Sequence, residues 1–287
     1  MRQSLRKSSR LNETVCVEII VLNDDRIHNT IHSLLNQKRK PDRILVADGG
    51  SGPEFLNCIR NKFTDHLLEI WVLPGLPVET RRKSLELLQE DITVFLDSDQ
   101  VAPEGWLENL ISPFLEKDSK LSFTGGPTKP YKEATTEMEK YINLVEEQIY
   151  ESDLKKKLTY IPLGNTAWKT SVLKELGFDS RLKFEAEDND LETRAYQAGY
   201  YGVFVKDAWV WHDKSSETSF LRGMKKRYKY LVGAATVFIK NGTLISRYNE
   251  NRSFVPHPFA MVETILKPVA LIHAYVRWHL IIKNQPH

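Results

Sequence analysis

The sequence predicts an α/β protein with a doubly wound, mostly parallel sheet and a C-terminal helical extension. Short apolar runs rich in β-branched side chains alternate with segments of helical periodicity, which is typical of successive βαβ units. The 287-residue length allows one large domain with a small appendage. Apolar residues at 41% and charged residues at 27% are typical of a globular protein and exclude disorder, collagen-like repeats and disulfide scaffolds.

The first half of the chain holds four predicted strands with three helices between them. Each strand is a short apolar run that ends in a polar or glycine-rich turn. Each helix carries apolar residues at helical spacing. The predicted strands are Val15–Asn23, the run that begins at Arg43, Leu68–Leu73 and Asp91–Asp99, and the predicted helices are Asp25–Gln37, Glu54–Lys62 and Glu79–Leu88.

The second half departs from this regular alternation. It predicts a strand at Leu121–Thr124, a long amphipathic helix at Glu133–Lys157, a strand and loop at Ile161–Trp168, a helix at Ser171–Leu176 and, after an acid-headed helix, a strand pair that ends at His212. The predicted organisation is a mobile basic tail over residues 1–12, a main domain over 13–235 with halves 13–100 and 101–235, and a helical extension over 236–287.

Positive charge is concentrated at the C-terminal end. The net charge is +2, but residues 213–287 contain 12 Lys and Arg against 4 Asp and Glu, whereas the rest contains 28 against 34. This favours a partner that carries phosphates, with a solvated basic face as an equal alternative. Cys16 and Cys58 fit a reducing compartment and the N-terminus lacks the apolar run of a signal peptide, so we expect a cytoplasmic protein.

Polar side chains stand at the ends of three predicted strands. Asn23, Asp48 and the pair Asp97 and Asp99 fall where doubly wound sheets bind ligands. Because side chains alternate along a strand, Asp97 and Asp99 point to one side, and two like charges so close need a neutralising partner. A divalent cation such as Mg²⁺, which takes one or two carboxylates together with substrate phosphates, would serve. The alternative is a solvated acidic turn.

Four segments in order carry a resemblance to a known family. They are IIVLND, ILVADGGSG, ETRRKSLELLQEDITVFLDSDQ and EDNDLETRAYQAGY. Over residues 15–235 the chain resembles the family-2 glycosyltransferases of the GT-A fold. The run VLND differs from the family's usual Pro-Thr-Tyr-Asn type run, and Arg82 stands where the family has Asn. The resemblance implies that Leu22, Asn23 and Asp48 line the nucleotide-base pocket, Arg81 contacts phosphate or sugar, Asp97 faces the ribose and sugar, and Asp97 and Asp99 bind a metal.

The last of these segments implies the catalytic acids. By the resemblance, Glu187 and Asp188 match the Glu-Asp pair that opens the acceptor-side helix, and Asp188 deprotonates the acceptor hydroxyl. An inverting transfer needs one carboxylate on the face of the sugar ring opposite the leaving diphosphate. Glu185 and Asp190 are the competing acids, and Asp190 has a structural alternative as a residue that caps or orients the helix.

Three further regions are assigned with a structural alternative open for each. The resemblance implies that His212 completes the metal shell, although a lone histidine is more often a structural group. Arg227 and Tyr228 lie in a basic-aromatic-glycine segment that folds over the donor diphosphate in the family, with a solvated basic helix as the alternative. Gly126, Asn165 and Trp168 are assigned to the acceptor and sugar pocket, and for Trp168 the core is an equal alternative.

The C-terminal segment FAMVETILKPVALIHAYVRWHLIIKN is apolar but broken by charges and by Pro268. Its longest uncharged stretch, 268–276, is too short to cross a bilayer. The basic C-terminal quarter favours an amphipathic helix at a membrane surface, and packing on the main domain or at a dimer contact stays open.

These assignments together predict a metal-dependent, inverting glycosyltransferase that uses Mg²⁺ or Mn²⁺ and a nucleotide-diphosphate sugar. The acceptor is a hydroxyl of a glycan, a polyprenyl-linked lipid or another molecule in glycan or glycolipid assembly, and peripheral contact with the inner face of the membrane is left open. A nucleotidyltransferase is disfavoured because no glycine follows the first strand. A dehydrogenase is disfavoured because no G-x-G-x-x-G follows any predicted strand. A non-catalytic nucleotide-sugar-binding protein at a membrane surface is the third alternative, and no nucleic-acid-binding module is recognised.

Overall fold

The computed structural model of the chain describes residues 13–153, 161–182, 186–214, 219–242 and 257–282. The predicted basic tail over residues 1–12 lies outside these ranges, as does Glu185, one of the acids that compete for the catalytic assignment. The predicted C-terminal part of the long helix, beyond residue 153, also lies outside them.

A seven-stranded sheet with strand order β3-β2-β1-β4-β8-β6-β9 forms the centre of the molecule. All its strands run parallel except β8, which is antiparallel to both β4 and β6. The predicted mostly parallel, doubly wound α/β sheet is therefore confirmed. The strands are β1 (Val15–Val21), β2 (Arg43–Asp48), β3 (Leu68–Val72), β4 (Ile92–Leu96), β6 (Leu121–Gly125), β8 (Asn165–Lys169) and β9 (Tyr201–Phe204).

Helices cover both faces of this sheet, so the central strands are buried on both sides and read as continuous apolar runs. One core cluster joins Val17 and Val94 to the fully buried Trp106, and the cluster on the other face contains Phe95, Phe123 and Trp168. The helices up to residue 197 are α1 (Ile27–Leu35), α2 (Pro53–Lys62), α3 (Pro77–Ser84), α4 (Trp106–Ile111), α5 (Glu137–Asp153), α6 (Thr170–Leu176) and α7 (Glu187–Gln197).

A second, three-stranded sheet lies beside the first and has the order β5-β10-β7. Its strands are β5 (Gln100–Val101), β7 (Thr128–Pro130) and β10 (Val210–His212). The sequence predicts β9 and β10 as a pair, but the structure separates them, because β9 joins the large sheet and β10 the small one. In the small sheet His212 lies opposite Gln100, which places it next to the loop that follows β4.

Two long helices form the C-terminal part: α8 (Phe220–Asn241) and α9 (Pro258–Arg277), the latter continued by a π-helical turn over Trp278–Ile282. The predicted domain boundary at residue 235 lies inside α8. Helix α9 runs through Pro268. By length and composition alone, the 23 residues Pro258–Leu280, with a mean hydropathy of 1.4, form a helix that could cross a membrane.

Candidate active site

The carboxyl ends of β1, β2 and β4 open into a cavity of about 490 Å³. Its walls come from the loops after these strands, from α3 and α7, and from one face of α8. This is the position at which open α/β sheets bind ligands. Of the residues predicted from the sequence, those that line the cavity are Leu22, Arg81, Asp97, Asp99, Glu187, Asp188, His212 and Arg227.

Asp99 is held between two basic side chains in the loop after β4. His212 Nε2 lies 3.3 Å from Asp99 Oδ2, and Arg26 Nη1 lies 3.5 Å from the same oxygen. Arg26 is itself fixed by a two-pronged ion pair with Asp24 and donates a hydrogen bond of 2.6 Å to the carbonyl of Asp213. The loops after β1, β4 and β10 are therefore tied together around the Asp99 carboxylate.

Arg81 connects the other two acids of the cavity. This residue lies on α3, and its Nη1 donates to Glu187 Oε1 at 2.6 Å while Nη2 approaches Asp97 Oδ1 at 3.4 Å. The guanidinium is almost entirely buried, so both contacts lie where water screens them little. Arg81 thus links the start of α7, which carries Glu187 and Asp188, to the loop after β4.

Burial and charge move the pKa values of these acids apart. Burial is the largest influence on Asp97 and Glu187, and it raises the pKa of both, although the charge of Arg81 acts in the opposite direction. At Asp99 burial also acts upward, but the hydrogen bond and charge of His212 outweigh it, so the pKa of Asp99 is lowered. Burial would lower the pKa of His212, yet its contact with Asp99 leaves that pKa raised. Such divergent pKa values are common at functional sites.

A glycine forms the floor beneath Asp97. A Cβ placed on Gly164 would lie 2.1 Å from Asp97 Oδ2, far inside van der Waals contact. The backbone of the loop before β8 therefore approaches the carboxylate as closely as only glycine permits. This close approach was not predicted from the sequence.

One face of α8 closes the cavity with Lys226, Arg227, Tyr230 and Ala234. Arg227 is buried and pairs with Glu263 of α9 through both of its carboxylate oxygens. The prediction for Tyr228 is corrected, because its hydroxyl lies 3.0 Å from His273 Nδ1 of α9.

The rotation of successive side chains around α8 explains the correction. Tyr228 lies on the face that contacts α9, and Tyr230, two residues later, is the tyrosine that lines the cavity.

Asn23 and Asp48 shape the loops at the cavity rather than line it. Asp48 is fully buried, and its carboxylate accepts hydrogen bonds from the backbone N–H groups of Gly50 and Ser51. Asn23 has a positive φ of 48° and accepts a hydrogen bond of 3.2 Å from the N–H of Gly52. Their predicted contact with a nucleotide base stays a prediction, and the structure shows both side chains bonded to the glycine-rich turn.

The three residues predicted for the acceptor and sugar pocket lie in the core instead. Trp168 is 0% exposed and stacks on Phe123, because its position on β8 faces the helices behind the sheet. The Asn165 amide is buried and uses its oxygen to accept from the Trp106 indole at 2.8 Å. Gly126 permits close packing on the backbone of Ala208, where a Cβ would lie 2.0 Å from the carbonyl oxygen.

Two cavity acids were not predicted from the sequence. Asp24 lines the cavity after β1 and pairs with Arg26. Glu146 reaches it from α5, where Lys214 Nζ lies 2.5 Å from Oε2. Burial acts to raise the pKa of Glu146, but Lys214 and other partners lower it to about 2. The run Asn23-Asp24-Asp25 was a usable signal for Asp24, whereas Glu146 is one acid among several on an amphipathic helix and depends on a distant lysine.

Comparison with known proteins identifies the family. The model of "Glycosyl transferase family 2" matches residues 16–177, more than half of the chain. No match is found among proteins of curated function.

Similar folds occur in the mannosyltransferase PcManGT from Pyrobaculum calidifontis in complex with GDP-Man and Mn²⁺ (16% identity, TM-score 0.62, 96% of this chain and 76% of that one). They occur also in S. aureus TarS 1–349 (15% identity, TM-score 0.54, 94% and 73%). A third is GalNAc-T7 with UDP, GalNAc and Mn²⁺ (14% identity, TM-score 0.57, 94% and 58%). With its family match and its mostly parallel sheet, the chain belongs to glycosyl transferase family 2 and has a GT-A fold.

Proposed function

We propose that the chain is a metal-dependent, inverting glycosyltransferase that moves a sugar from a nucleotide-diphosphate sugar to an acceptor hydroxyl. The observation that carries this proposal is that acids from two distant parts of the sequence, Asp97 and Asp99 after β4 and Glu187 and Asp188 at the start of α7, line one cavity. The Mn²⁺ and nucleotide named for two structures of similar fold support a donor and a metal of this kind.

Asp99 and His212 are the residues that would hold the cation. Their side chains lie 3.3 Å apart in the cavity, and among the described residues no group of three or more His, Cys, Asp and Glu side chains is arranged to hold a metal. Two protein donors fit a cation that shares its coordination with substrate phosphate and water. When bound, the cation would offset the charge of the diphosphate leaving group.

Lys226 and Arg227 would contribute positive charge at the phosphate end of the cavity. Both line it from α8, and the charge of Lys226 acts on both Asp97 and Asp99 in the direction that favours their ionised forms, although burial keeps the pKa of Asp97 raised. Because Arg227 is also anchored to Glu263, its guanidinium is held in place before any ligand binds.

Asp188 is assigned as the general base and Glu187 as the acid that fixes its position. Glu187 is bonded to Arg81 at 2.6 Å, which directs that carboxylate to α3. Asp188 is the next residue on α7 and lines the same cavity as Asp97. A carboxylate there can accept the proton of an acceptor hydroxyl that attacks the sugar.

The base assignment predicts that Asp188→Asn lowers the transfer rate by about 10²- to 10⁴-fold while nucleotide binding is retained, because the amide cannot take up a proton. A thermal-shift panel of UDP- and GDP-sugars, with and without Mn²⁺, first identifies the donor. Release of nucleoside diphosphate from that donor then gives the rate, and calorimetry gives the affinity. Asp207→Asn, at an exposed loop position, is the control. An unimpaired rate for Asp188→Asn would refute the assignment.

The stereochemistry is tested on the same reaction. An inverting transfer gives a product whose anomeric configuration is opposite to that of the donor, which NMR of the product shows directly. Retained configuration would contradict the proposal of inversion. A nucleotidyltransferase is distinguished by its products, because it joins a nucleoside triphosphate to a sugar phosphate and releases pyrophosphate. A non-catalytic binding protein would bind the donor without turnover.

The acceptor class, a glycan, a polyprenyl-linked lipid or another hydroxyl compound, stays a proposal, as do a role in glycan or glycolipid assembly and a cytoplasmic location. Peripheral membrane contact also stays a proposal, and the exposed surface of the two C-terminal helices bears on it directly.

A further inference from the structure

Helix α9 and its continuation carry a row of exposed apolar side chains. Six side chains along one side of this helix and its continuation are between 45% and 75% exposed. They follow each other at intervals of three or four residues, so they form one continuous stripe. We call this stripe the α9 apolar face: Met261, Ile265, Val269, Ile272, Val276 and Leu280.

The opposite side of α9 is fixed to the folded domain along its whole length. At its start the Phe259 ring contacts Tyr141 of α5, and at its end Trp278 lies under the Arg181 guanidinium at 5.3 Å. Between these points the fully buried Ala270 and Ala274 pack against α8. A helix anchored in this way cannot leave the domain to cross a bilayer unless these contacts break, although its length and composition would allow a span.

The charges around the α9 apolar face favour an anionic partner. Arg222, Lys225 and Lys229 are exposed on α8, the helix that packs directly on α9. Packed helices lie about 8–10 Å apart, which is about one Debye length at moderate salt, so these cations act on whatever covers α9. Residues 213–287 carry 12 basic against 4 acidic residues. A second copy of the chain would bring the same positive charge, and the two copies would repel each other.

We propose that α9 docks in the plane of an anionic membrane surface, with the α9 apolar face in the interface between headgroups and acyl chains. An apolar stripe with basic residues beside it is typical of helices that lie in this plane. The other side of α8 lines the cavity through Lys226 and Tyr230, so docking holds the cavity one helix away from the lipid surface. This inference does not depend on which donor or acceptor the enzyme uses.

The test is co-sedimentation of the full chain with vesicles of phosphatidylcholine alone and of phosphatidylcholine with phosphatidylglycerol in equal parts. We expect binding to the anionic vesicles that weakens as salt is raised. The double variant Ile265→Glu/Ile272→Glu should reduce the partition coefficient at least about tenfold, because it places two carboxylates in the interface. Leu115→Glu, which changes an exposed apolar residue remote from α8 and α9 in the sequence, should bind as the wild type does.

A second variant isolates the charge contribution. Arg222→Gln/Lys225→Gln should weaken binding to the anionic vesicles about tenfold or more and leave binding to phosphatidylcholine alone unchanged. Thermal unfolding and Mn²⁺-dependent nucleotide binding show that each variant is folded.

Three results would overturn the proposal. One is wild-type protein that stays in the supernatant with anionic vesicles. Another is a dimer in light scattering that Ile265→Glu/Ile272→Glu dissociates without any change in vesicle binding, because the face would then join two copies. The third is protein that resists alkaline carbonate extraction and shows protease-protected fragments, because α9 would then span the bilayer.

Discussion

At the scale of single residues, the close contact between Gly164 and Asp97 decides what the cavity floor can tolerate. The backbone at Gly164 approaches the carboxylate so closely that a Cβ would lie 2.1 Å from Oδ2 and 2.5 Å from Cγ. Real Cβ atoms never come this near to a neighbour, so any larger residue must push the carboxylate or the loop aside. Because Asp97 also contacts Arg81, such a shift would disturb the connection between the loop after β4 and α7.

We predict that Gly164→Ala weakens Mn²⁺-dependent nucleotide binding by at least about tenfold and lowers turnover by about 10²-fold, because small displacements of catalytic groups are costly. Calorimetry with the identified nucleotide and Mn²⁺ measures the effect. Gly52→Ala, where an added Cβ meets nothing within 4 Å, is the matched control and should bind normally. Equal affinities for the two variants would show that nucleotide binding does not depend on the position of the Asp97 carboxylate.

The sequence predicts which strand ends carry the acids, but it does not predict which side chains face the core and which face the cavity. Asp97 and Asp99 were predictable because a buried strand must end at the ligand-binding edge of the sheet. The buried position of Trp168 was not predictable, because an aromatic residue near a strand end fits a sugar pocket and a core equally well. Only its stacking on Phe123 of β6 shows that it belongs to the core. A change of two positions on α8 separates Tyr228 from Tyr230 by about half a turn, which helical periodicity without the neighbouring helices does not resolve.

At the scale of secondary-structure elements, an ion-pair cluster fixes the C-terminal end of α8 to Asp190 of α7 and to Asp179. We call this cluster, made by Lys240 with these two acids, the clasp. Lys240 Nζ lies 2.6 Å from Asp190 Oδ1 and 2.7 Å from Asp179 Oδ2. Asp190 follows the predicted catalytic acids on α7 and is fully buried, and Arg194 Nε also donates to it at 2.8 Å. The structural alternative for Asp190, a residue that orients the helix, is the one that this geometry supports.

We predict that Lys240→Met lowers the free energy of unfolding by about 3 kcal/mol, because it leaves two buried carboxylates without their shared cation. Lys140→Met is the matched control: Lys140 pairs with Glu137 at the same 2.6 Å, but its side chain is 53% exposed compared with 10% for Lys240. That variant should change the free energy by less than about 1 kcal/mol. Urea unfolding at neutral pH measures both, and similar losses would contradict a structural role for the clasp.

Elements were more predictable than their partners. The central strands β1, β2 and β4 are anticipated by apolar runs, because burial on both faces demands them. The pairing of β10 with β5 and β7 could not be predicted from the sequence, because these strands are only two or three residues long and show no periodicity. Pro268 interrupts the apolar run in the sequence, but α9 continues through it, because a proline inside a helix removes one backbone hydrogen bond and need not end the helix.

At the scale of the whole molecule, a carboxylate is buried in the middle of the central sheet. Glu18 lies on β1 and is 1% exposed, with one oxygen accepting a hydrogen bond of 2.8 Å from Ser84. The other oxygen makes no hydrogen bond to the described residues. Burial raises the pKa of Glu18 from 4.5 to about 7, although the charges of Arg81 and Arg43 and the bond to Ser84 act to lower it. Global stability therefore depends on a proton at the core.

The sign of this dependence follows from the raised pKa. The folded state binds the proton of Glu18 more tightly than the unfolded state does, so the stabilisation is fully present below about pH 4.5 and is lost as the pH rises through 7. Between pH 5 and 8 we predict that the wild type loses about 2 kcal/mol of unfolding free energy relative to Glu18→Gln, whose side chain does not titrate. Urea unfolding of both proteins across this range gives the difference. Glu54→Gln, at an exposed position on α2, should keep a constant difference from the wild type. A constant difference for Glu18→Gln as well would mean that the Glu18 carboxyl has the same pKa in the folded and unfolded chains.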